Sequence, residues 1–297
     1  MSWKVSATAH RSLVEAVLEA HEDDTVVLSG REVDEASGEW VLEAWLQDEP
    51  TPAQLRAIEA YFPQPAPPIV VEELEEQDWV TLSQAGMEPI RAGRFHVRTP
   101  DHPPADDQTA IDFVIPASQA FGTGQHATTA GCLAMLDHMA SHGMAFTDIV
   151  DVGTGTGLLA FAALRLWPSA MVAASDIDPV CEQVVRENAS LNAVSLGSGA
   201  GEIRVLTAAG LDHAELLGRA PYDLLIANIL AGPLIDLAPA FTAHVSAGGT
   251  VILAGLLTAQ EDDVVAAYRD QGLEVERRLP SGDWSILWLR KPALLAV

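Results

Sequence analysis

A glycine-rich segment, Asp151-Val-Gly-Thr-Gly-Thr-Gly157, constrains the fold of this chain more than any other feature. The apolar residues 149–152 before it indicate a buried strand, and the apolar residues 158–166 after it indicate a helix. Glycines permit the tight turn between the two elements and let a ligand approach the backbone closely. A helix N-terminus also offers free N–H groups and a partial positive charge. The segment therefore predicts a strand, a turn and a helix around an anionic ligand group.

The glycine spacing separates two classes of nucleotide ligand. A dinucleotide fingerprint requires glycine at the first, third and sixth positions, and the sixth position here is Leu158. Gly153, Gly155 and Gly157 follow a G-x-G-x-G pattern preceded by Asp151, which is typical of methyltransferases. The pattern favours a methyltransferase over a nicotinamide-dependent dehydrogenase. A purely structural turn is the remaining alternative.

Strands and helices alternate from residue 148 to the end of the sequence. Seven segments have the apolar, β-branched character of strands: 149–152, 171–175, 203–206, 222–227, 250–254, 273–279 and 285–290. Such alternation predicts a doubly wound α/β fold, with a mostly parallel seven-stranded sheet of the class I, Rossmann-like type. The last two strands follow each other directly, so we expect an antiparallel hairpin at the sheet edge.

The first part of the chain has a different pattern. Residues 1–74 read as β-α-β-β-α-β, the order of a small ferredoxin-like α+β domain. A charge run and a short helix at 78–85 indicate a linker over residues 75–88, followed by the larger domain over 89–297. Residues 94–99 and 110–115 are expected to form paired strands, joined by a loop rich in Pro and Asp.

Asp176 ends the second predicted strand of the larger domain. A carboxylate at this place can accept hydrogen bonds from both ribose hydroxyls of an adenosine. The alternative is that Asp176 only caps the next helix. Asp178, which precedes Pro179, fits a helix cap better than a ligand contact.

Asn228 ends the predicted strand at 222–227. Ligands of open α/β sheets bind at the carboxyl ends of strands, close to the point where strand order reverses. An amide there can accept a hydrogen bond from a target amine and orient its lone pair. The alternative is an asparagine that only terminates the strand. Because Gly153 and Asp176 lie in the matching places of neighbouring strands, we favour the functional interpretation.

A second glycine segment, Phe121-Gly-Thr-Gly-Gln-His-Ala-Thr-Thr129, precedes another predicted helix. The hydroxyl of Thr129 near the helix start can cap the backbone or bind a ligand carboxylate. From the residues alone, the simple cap is favoured. His126 has no recognisable partner in the sequence and is interpreted as structural.

The charge of the chain is strongly negative, with 42 acidic and 16 basic residues and a net charge of −26. Residues 1–88 hold 19 acids and 4 bases, a net of −15. Nucleic-acid binders usually carry a basic surface, so direct binding of RNA or DNA is not expected. A basic protein partner is favoured, and the charge fits simple solubility equally well.

Other features of the sequence exclude several classes. No stretch reaches the roughly 20 apolar residues of a membrane span, and residues 1–10 do not resemble a secretory signal. Cys132 and Cys181 are expected to be buried thiols of a reduced compartment, not a disulfide or part of a metal site. We therefore expect a cytoplasmic protein without metal. A monomer is the default, although the sequence leaves the oligomeric state open.

Taken together, four segments resemble the ribosomal protein L11 methyltransferases, the PrmA family. They are residues 121–129, residues 151–157, Ser175-Asp-Ile-Asp-Pro179 and Ala227-Asn-Ile-Leu-Ala-Gly-Pro233. The resemblance covers about residues 76–297, and the last segment is its most diagnostic part. The first two segments each differ from the family pattern at two positions, but the glycines are kept in both and the final threonine in the first.

The resemblance implies S-adenosylmethionine as cofactor and a ferredoxin-like domain that recognises the substrate. It implies cofactor contacts at Thr129, Gly153, Asp176 and Asn228, and we add Gly155 from the loop pattern. The expected activity is methyl transfer to lysine or N-terminal amines of a basic large-subunit ribosomal protein, with L11 favoured and Asn228 as the catalytic residue. Three alternatives stay open: a nucleic-acid methyltransferase, a small-molecule methyltransferase and a non-catalytic module that binds S-adenosylmethionine.

Overall fold

The structure, a computed structural model, divides into two compact units, residues 1–85 and 86–297. It describes residues 2–20, 27–34, 39–46, 49–62, 66–74, 89–107, 109–116 and 126–293. The predicted linker at 75–88, with its short helix, lies outside the described residues. The division into units falls within this stretch. Among the helices described, none offers the long apolar stretch that a bilayer crossing requires.

The first unit has the predicted β-α-β-β-α-β order. Its elements are β1 (Ser2–His10), α1 (Arg11–Ala20), β2 (Val27–Asp34), β3 (Glu39–Leu46), α2 (Pro52–Glu59) and β4 (Ile69–Leu74). The strands form one sheet in the order β2-β3-β1-β4, in which every neighbouring pair is antiparallel. This is the strand order of a ferredoxin-like fold, as predicted.

Alternating residues of β1 and β3 build the core of this unit. Ala7 and Leu42 are buried together with Val14 of α1. Val5 and Ala44 are buried together with Ile58 of α2. Because successive side chains of a strand point to opposite faces, both helices cover the same face of the sheet.

Local sequence explains how two elements of this unit end. Thr51 caps α2, since its hydroxyl accepts the N–H of Gln54 at 3.3 Å and Gln54 accepts the N–H of Thr51 at 2.9 Å. β4 extends into the acidic residues 72–73 and ends at Leu74. Glu72 is tolerated there because β4 is an edge strand, and Lys4 of β1 pairs with Glu72 at 2.7 Å.

The second unit contains the predicted seven-stranded sheet. Its strands are β8 (Asp148–Val152), β9 (Met171–Asp176), β10 (Ile203–Thr207), β11 (Tyr222–Asn228), β12 (Val245–Leu257), β13 (Glu274–Ser281) and β14 (Trp284–Arg290). Their order is β10-β9-β8-β11-β12-β14-β13. The first five are parallel, and β14 is antiparallel to both neighbours. The final hairpin therefore exists, but β14 is inserted inside the sheet and β13 forms its edge.

Helices cover both faces of this sheet. They are α3 (His126–Ser141), α4 (Leu158–Leu166), α5 (Val180–Leu191), α6 (Ala214–Arg219), α7 (Ala231–His244) and α8 (Glu261–Asp270). Helices α3 to α5 pack with Ile149 and Ile226, and helices α6 to α8 pack with Val150 and Leu225. Because both faces are buried, the central strands are continuous apolar runs. The sequence did not predict α6, whose six residues are too short to establish a period.

A three-stranded sheet precedes the large one. It consists of β5 (Ile90–Ala92), β6 (Phe95–Arg98) and β7 (Ile111–Val114), in that order. The predicted pairing of the second and third strands is confirmed, and the pairing is parallel. Phe113 of β7 contacts Phe161 of α4 with ring centroids 6.3 Å apart, so this sheet extends the core of the second unit.

Helix α3 approaches β14 unusually closely at Gly131. A Cβ at this position would overlap the Cγ1 and Cδ1 atoms of Ile286, whose side chain is fully buried. The absence of a side chain at Gly131 therefore sets how near the first turn of α3, with Thr129, lies to the sheet.

We predict that Gly131→Leu lowers the free energy of unfolding by about 1–3 kcal/mol, because overpacking forces helix and strand apart. Gly218→Leu is the matched control, since Gly218 is also helical and no described atom lies within 4 Å of its Cβ position. Chemical denaturation of both variants checks this. Equal stabilities would show that α3 can move away from β14 at little cost.

Candidate active site

The site lies where the strand order of the large sheet reverses. From β8 the chain proceeds to β9 and β10 on one side and later to β11 and β12 on the other. The loops after β8, β9 and β11 therefore meet at one edge, where open α/β sheets bind ligands. These loops carry the glycine segment, Asp176 and Asn228.

The glycine segment forms a turn that only glycine adopts without strain. Gly153, Gly155 and Gly157 have φ values of +72°, +52° and +85°. The N–H groups of Gly153 and Thr154 both donate to the carbonyl oxygen of Ser175, at 2.8 and 3.0 Å. The turn is thereby attached to the end of β9.

Asp176 binds this turn from the neighbouring strand. Its Oδ2 accepts the N–H of Gly155 at 2.9 Å, and its Oδ1 accepts the N–H of Asp178 at 3.1 Å. Each carboxylate oxygen can accept a further hydrogen bond. Asp178 has the capping role expected of it, since its side chain accepts the N–H of Val180 at 2.9 Å.

Asp151 is a buried acid directly beneath the glycine turn. Its Oδ2 accepts the hydroxyl of Thr154 at 2.6 Å and the N–H of Ala160 at 3.1 Å. Its Oδ1 is buried and has no hydrogen-bond partner among the described residues. Burial raises the pKa of Asp151 to about 7, the two hydrogen bonds oppose the rise, and the negative charge of Asp176 adds to it.

Asn228 at the end of β11 contacts Thr129 in the first turn of α3. The Asn228 Nδ2 donates to Thr129 Oγ1 at 3.3 Å, although 99 residues separate them in sequence. The Asn228 Oδ1 is buried and lacks a partner among the described residues. An acceptor left in this state fits a donor from a bound molecule, because unsatisfied buried acceptors are costly.

Two glycines hold the residue after Asn228. A Cβ at Gly153 would overlap Cγ2 of Ile229, and a Cβ at Gly255 would overlap the Ile229 carbonyl oxygen. Gly255 has φ +85° and lies in β12 where its register with β14 shifts. The N–H of Ile229 donates to the carbonyl oxygen of Ala254 at 3.1 Å. Ile229 therefore lies between the glycine turn and β12, which fixes Asn228 beside the glycine turn.

Both cysteines are free and buried, as expected. Burial is the main cause that raises the pKa of Cys132, and it raises the pKa of Cys181 to about 12. Both thiols therefore stay protonated at neutral pH and are poor nucleophiles.

Comparison with known proteins identifies the family of this chain. The model of the ribosomal protein L11 methyltransferase family (PrmA) matches residues 6–292. The ribosomal protein L11 methyltransferase of Brucella suis is 37% identical over 273 residues, which cover 92% of each chain. That of Agrobacterium fabrum is 36% identical, covering 91% of this chain and 90% of its own.

This chain belongs to the ribosomal protein L11 methyltransferase family. It is an S-adenosylmethionine-dependent methyltransferase, as the resemblance implied. A solved structure of a ribosomal protein L11 methylase from Lactobacillus delbrueckii subsp. bulgaricus is 30% identical and aligns with a TM-score of 0.55. It covers 69% of this chain and 98% of its own length.

The structure brings the five sequence-predicted site residues of this family member into one cluster. Gly155 binds Asp176, Asn228 binds Thr129, and Gly153 contacts the residue next to Asn228. Residues 121–125 and the side chain of His126 lie outside the described part of the chain.

Sequence reasoning missed two supports of this cluster. Gly255 could have been predicted, because an isolated glycine inside a strand indicates a bulge or a close backbone approach. Asn188 of α5 donates from Nδ2 to the carbonyl oxygen of Thr156 at 2.9 Å. Its sequence context gave no such signal, since the contact joins residues 32 positions apart.

We predict a pH-dependent stability difference between the wild type and Asp151→Asn. The folded-state pKa of Asp151 lies above its usual value of 3.8, so ionisation penalises the folded state. Wild-type stability from this group is complete below pH 4 and falls by roughly 4 kcal/mol as the pH rises to 7. Because asparagine does not ionise, Asp151→Asn should gain stability relative to wild type over this range. Denaturation at pH 5 and pH 8 measures the gain, and parallel pH curves would contradict it.

Proposed function

We propose that the protein transfers methyl groups from S-adenosylmethionine to amines of ribosomal protein L11. The observation that carries this proposal is the amide of Asn228. Thr129 engages its donor end, and its acceptor end is buried without a partner among the described residues. An amine N–H is a donor of the right kind for this oxygen.

S-adenosylmethionine supplies an activated methyl group on a sulfonium. The residues present fit its other parts. The turn of Gly153 to Gly157 leaves the backbone open to close approach, and Asp176 has acceptor capacity for the ribose hydroxyls. The N-terminus of α4, and Thr129 in the first turn of α3, suit its carboxylate.

We expect Asp176→Ala to weaken binding of S-adenosylmethionine by about 1–3 kcal/mol, because ribose hydroxyls would lose their acceptor. Asp178→Ala is the control, since Asp178 is a neighbouring acid that caps α5. Calorimetric titration with S-adenosylmethionine measures both. Unchanged affinity in Asp176→Ala would refute the role of this carboxylate.

The chain needs little acid–base chemistry for the transfer. The attacking amine must be neutral, whereas lysine amines are normally protonated at neutral pH. A desolvated position favours the neutral form, and the Asn228 oxygen accepts an N–H while leaving the nitrogen lone pair free. Catalysis then comes mainly from proximity and orientation.

The charge of the chain supports a basic protein substrate. Residues 1–88, which contain the ferredoxin-like unit, have a net charge of −15. Exposed acids accelerate association with a basic partner and repel nucleic acid. We assign substrate recognition to this unit on the basis of its charge, and direct nucleic-acid binding is not part of the proposal.

We expect Asn228→Ala to lower turnover with L11 on the order of 10²-fold, because the amine loses its orienting acceptor. Affinity for S-adenosylmethionine should fall much less. Transfer of labelled methyl groups to purified L11 measures turnover, and calorimetry measures affinity. Thr129→Val, which removes only the hydroxyl that holds the amide, should give an intermediate loss. Normal turnover in Asn228→Ala would refute the catalytic role and show that Asn228 only terminates β11.

A further inference from the structure

Two buried asparagines, Asn188 in the last turn of α5 and Asn192 at its C-cap, connect the cofactor loop to β7. We propose that Asn188 and Asn192 are positioning residues, through which the cofactor loop and β7 are coupled. The proposal rests on the proposed function only for the identity of the bound cofactor.

Asn188 fixes one peptide of the glycine turn. Its Nδ2 donates to the carbonyl oxygen of Thr156 at 2.9 Å, and its side chain is 4% exposed. Thr156 lies between Gly155 and Gly157, both with positive φ. Glycines allow many backbone conformations, so the direction of the Thr156 carbonyl group depends on an external partner. Asn188 supplies this partner and thereby restricts the turn to one conformation.

Asn192 holds β7 as a neighbouring strand would. Its Oδ1 accepts the N–H of Val114 at 2.7 Å, and its Nδ2 donates to the Val114 carbonyl oxygen at 2.8 Å. β7 pairs with β6 along its other edge. Asn192 therefore anchors the free edge of β7 to the end of α5.

The two asparagines also bind each other. The Asn192 Nδ2 donates to the Asn188 carbonyl oxygen at 2.8 Å, which is possible because residues four apart lie on one helix face. Arg165 of α4 donates to the Asn192 carbonyl oxygen at 2.6 Å and fixes the end of α5. Hydrogen bonds therefore connect Thr156 of the glycine turn to Val114 of β7 without interruption, through Asn188 and Asn192.

Side-chain substitutions separate this role from simple structural support. Asn188→Ala should weaken binding of S-adenosylhomocysteine, the demethylated product, about tenfold in calorimetry performed well below the melting temperature. Asn192→Ala should also weaken binding of S-adenosylhomocysteine, severalfold, although Asn192 contacts no ligand in the proposal. Asn188→Asp, which keeps the shape of the side chain but replaces the donor with an acceptor, should lose affinity as Asn188→Ala does.

Gln183→Ala is the matched control, because it removes an amide from the exposed face of the same helix, where Gln183 donates to Glu187 at 2.8 Å. If the asparagines were merely structural, melting temperatures would fall while affinity matched that of Gln183→Ala. That result would overturn the proposal.

Hydrogen exchange of the wild-type protein tests the coupling without any variant. Binding of S-adenosylhomocysteine should slow exchange of the Val114 N–H, which donates to Asn192. Protection of the glycine turn with no change at Val114 would overturn the coupling. Because neither binding nor exchange requires a protein substrate, a failure to methylate L11 would refute the proposed function and leave this result unaffected.

Discussion

Ile229 lies between the glycine turn after β8 and strand β12, and neither has room for a side chain where it faces Ile229. Gly153 adjoins the Ile229 side chain and Gly255 of β12 adjoins the Ile229 carbonyl oxygen, both in conformations that favour glycine. The loops after β8 and β11 and the strand β12 are thereby held at contact distance. The position of Asn228 beside the glycine turn follows from this constraint. The rest of the site is arranged around these three segments.

The site contains buried polar atoms that lack hydrogen-bond partners among the described residues. Asp151 Oδ1 and Asn228 Oδ1 are buried without partners among the described residues, one under the glycine turn and one at the end of β11. Each such atom costs folding free energy, because its hydrogen bonds to water are not replaced. Their retention is expected at a functional site, where local stability is exchanged for binding and orientation.

The sequence predicted the parts of the fold that local patterns determine. Apolar runs predicted all seven strands of the large sheet, and the glycine spacing with Asp176 and Asn228 predicted the cluster. Long-range contacts escaped prediction, because no local pattern encodes them. The insertion of β14 depends on pairing with β12, and the roles of Gly255 and Asn188 depend on distant neighbours. Helix α6 escaped because it is too short.

The place of β14 has a consequence for the order in which this protein acquires its structure during synthesis. β12 precedes β14 in the chain but pairs with it in the sheet, so one edge of β12 stays open until residues 284–290 have been made. Ile286 of β14 also supplies the surface on which α3 rests at Gly131. Helix α3, which carries Thr129, can therefore pack in its final position only after the ribosome has translated β14. Until then the growing chain exposes an unpaired apolar strand edge, the kind of surface that chaperones protect.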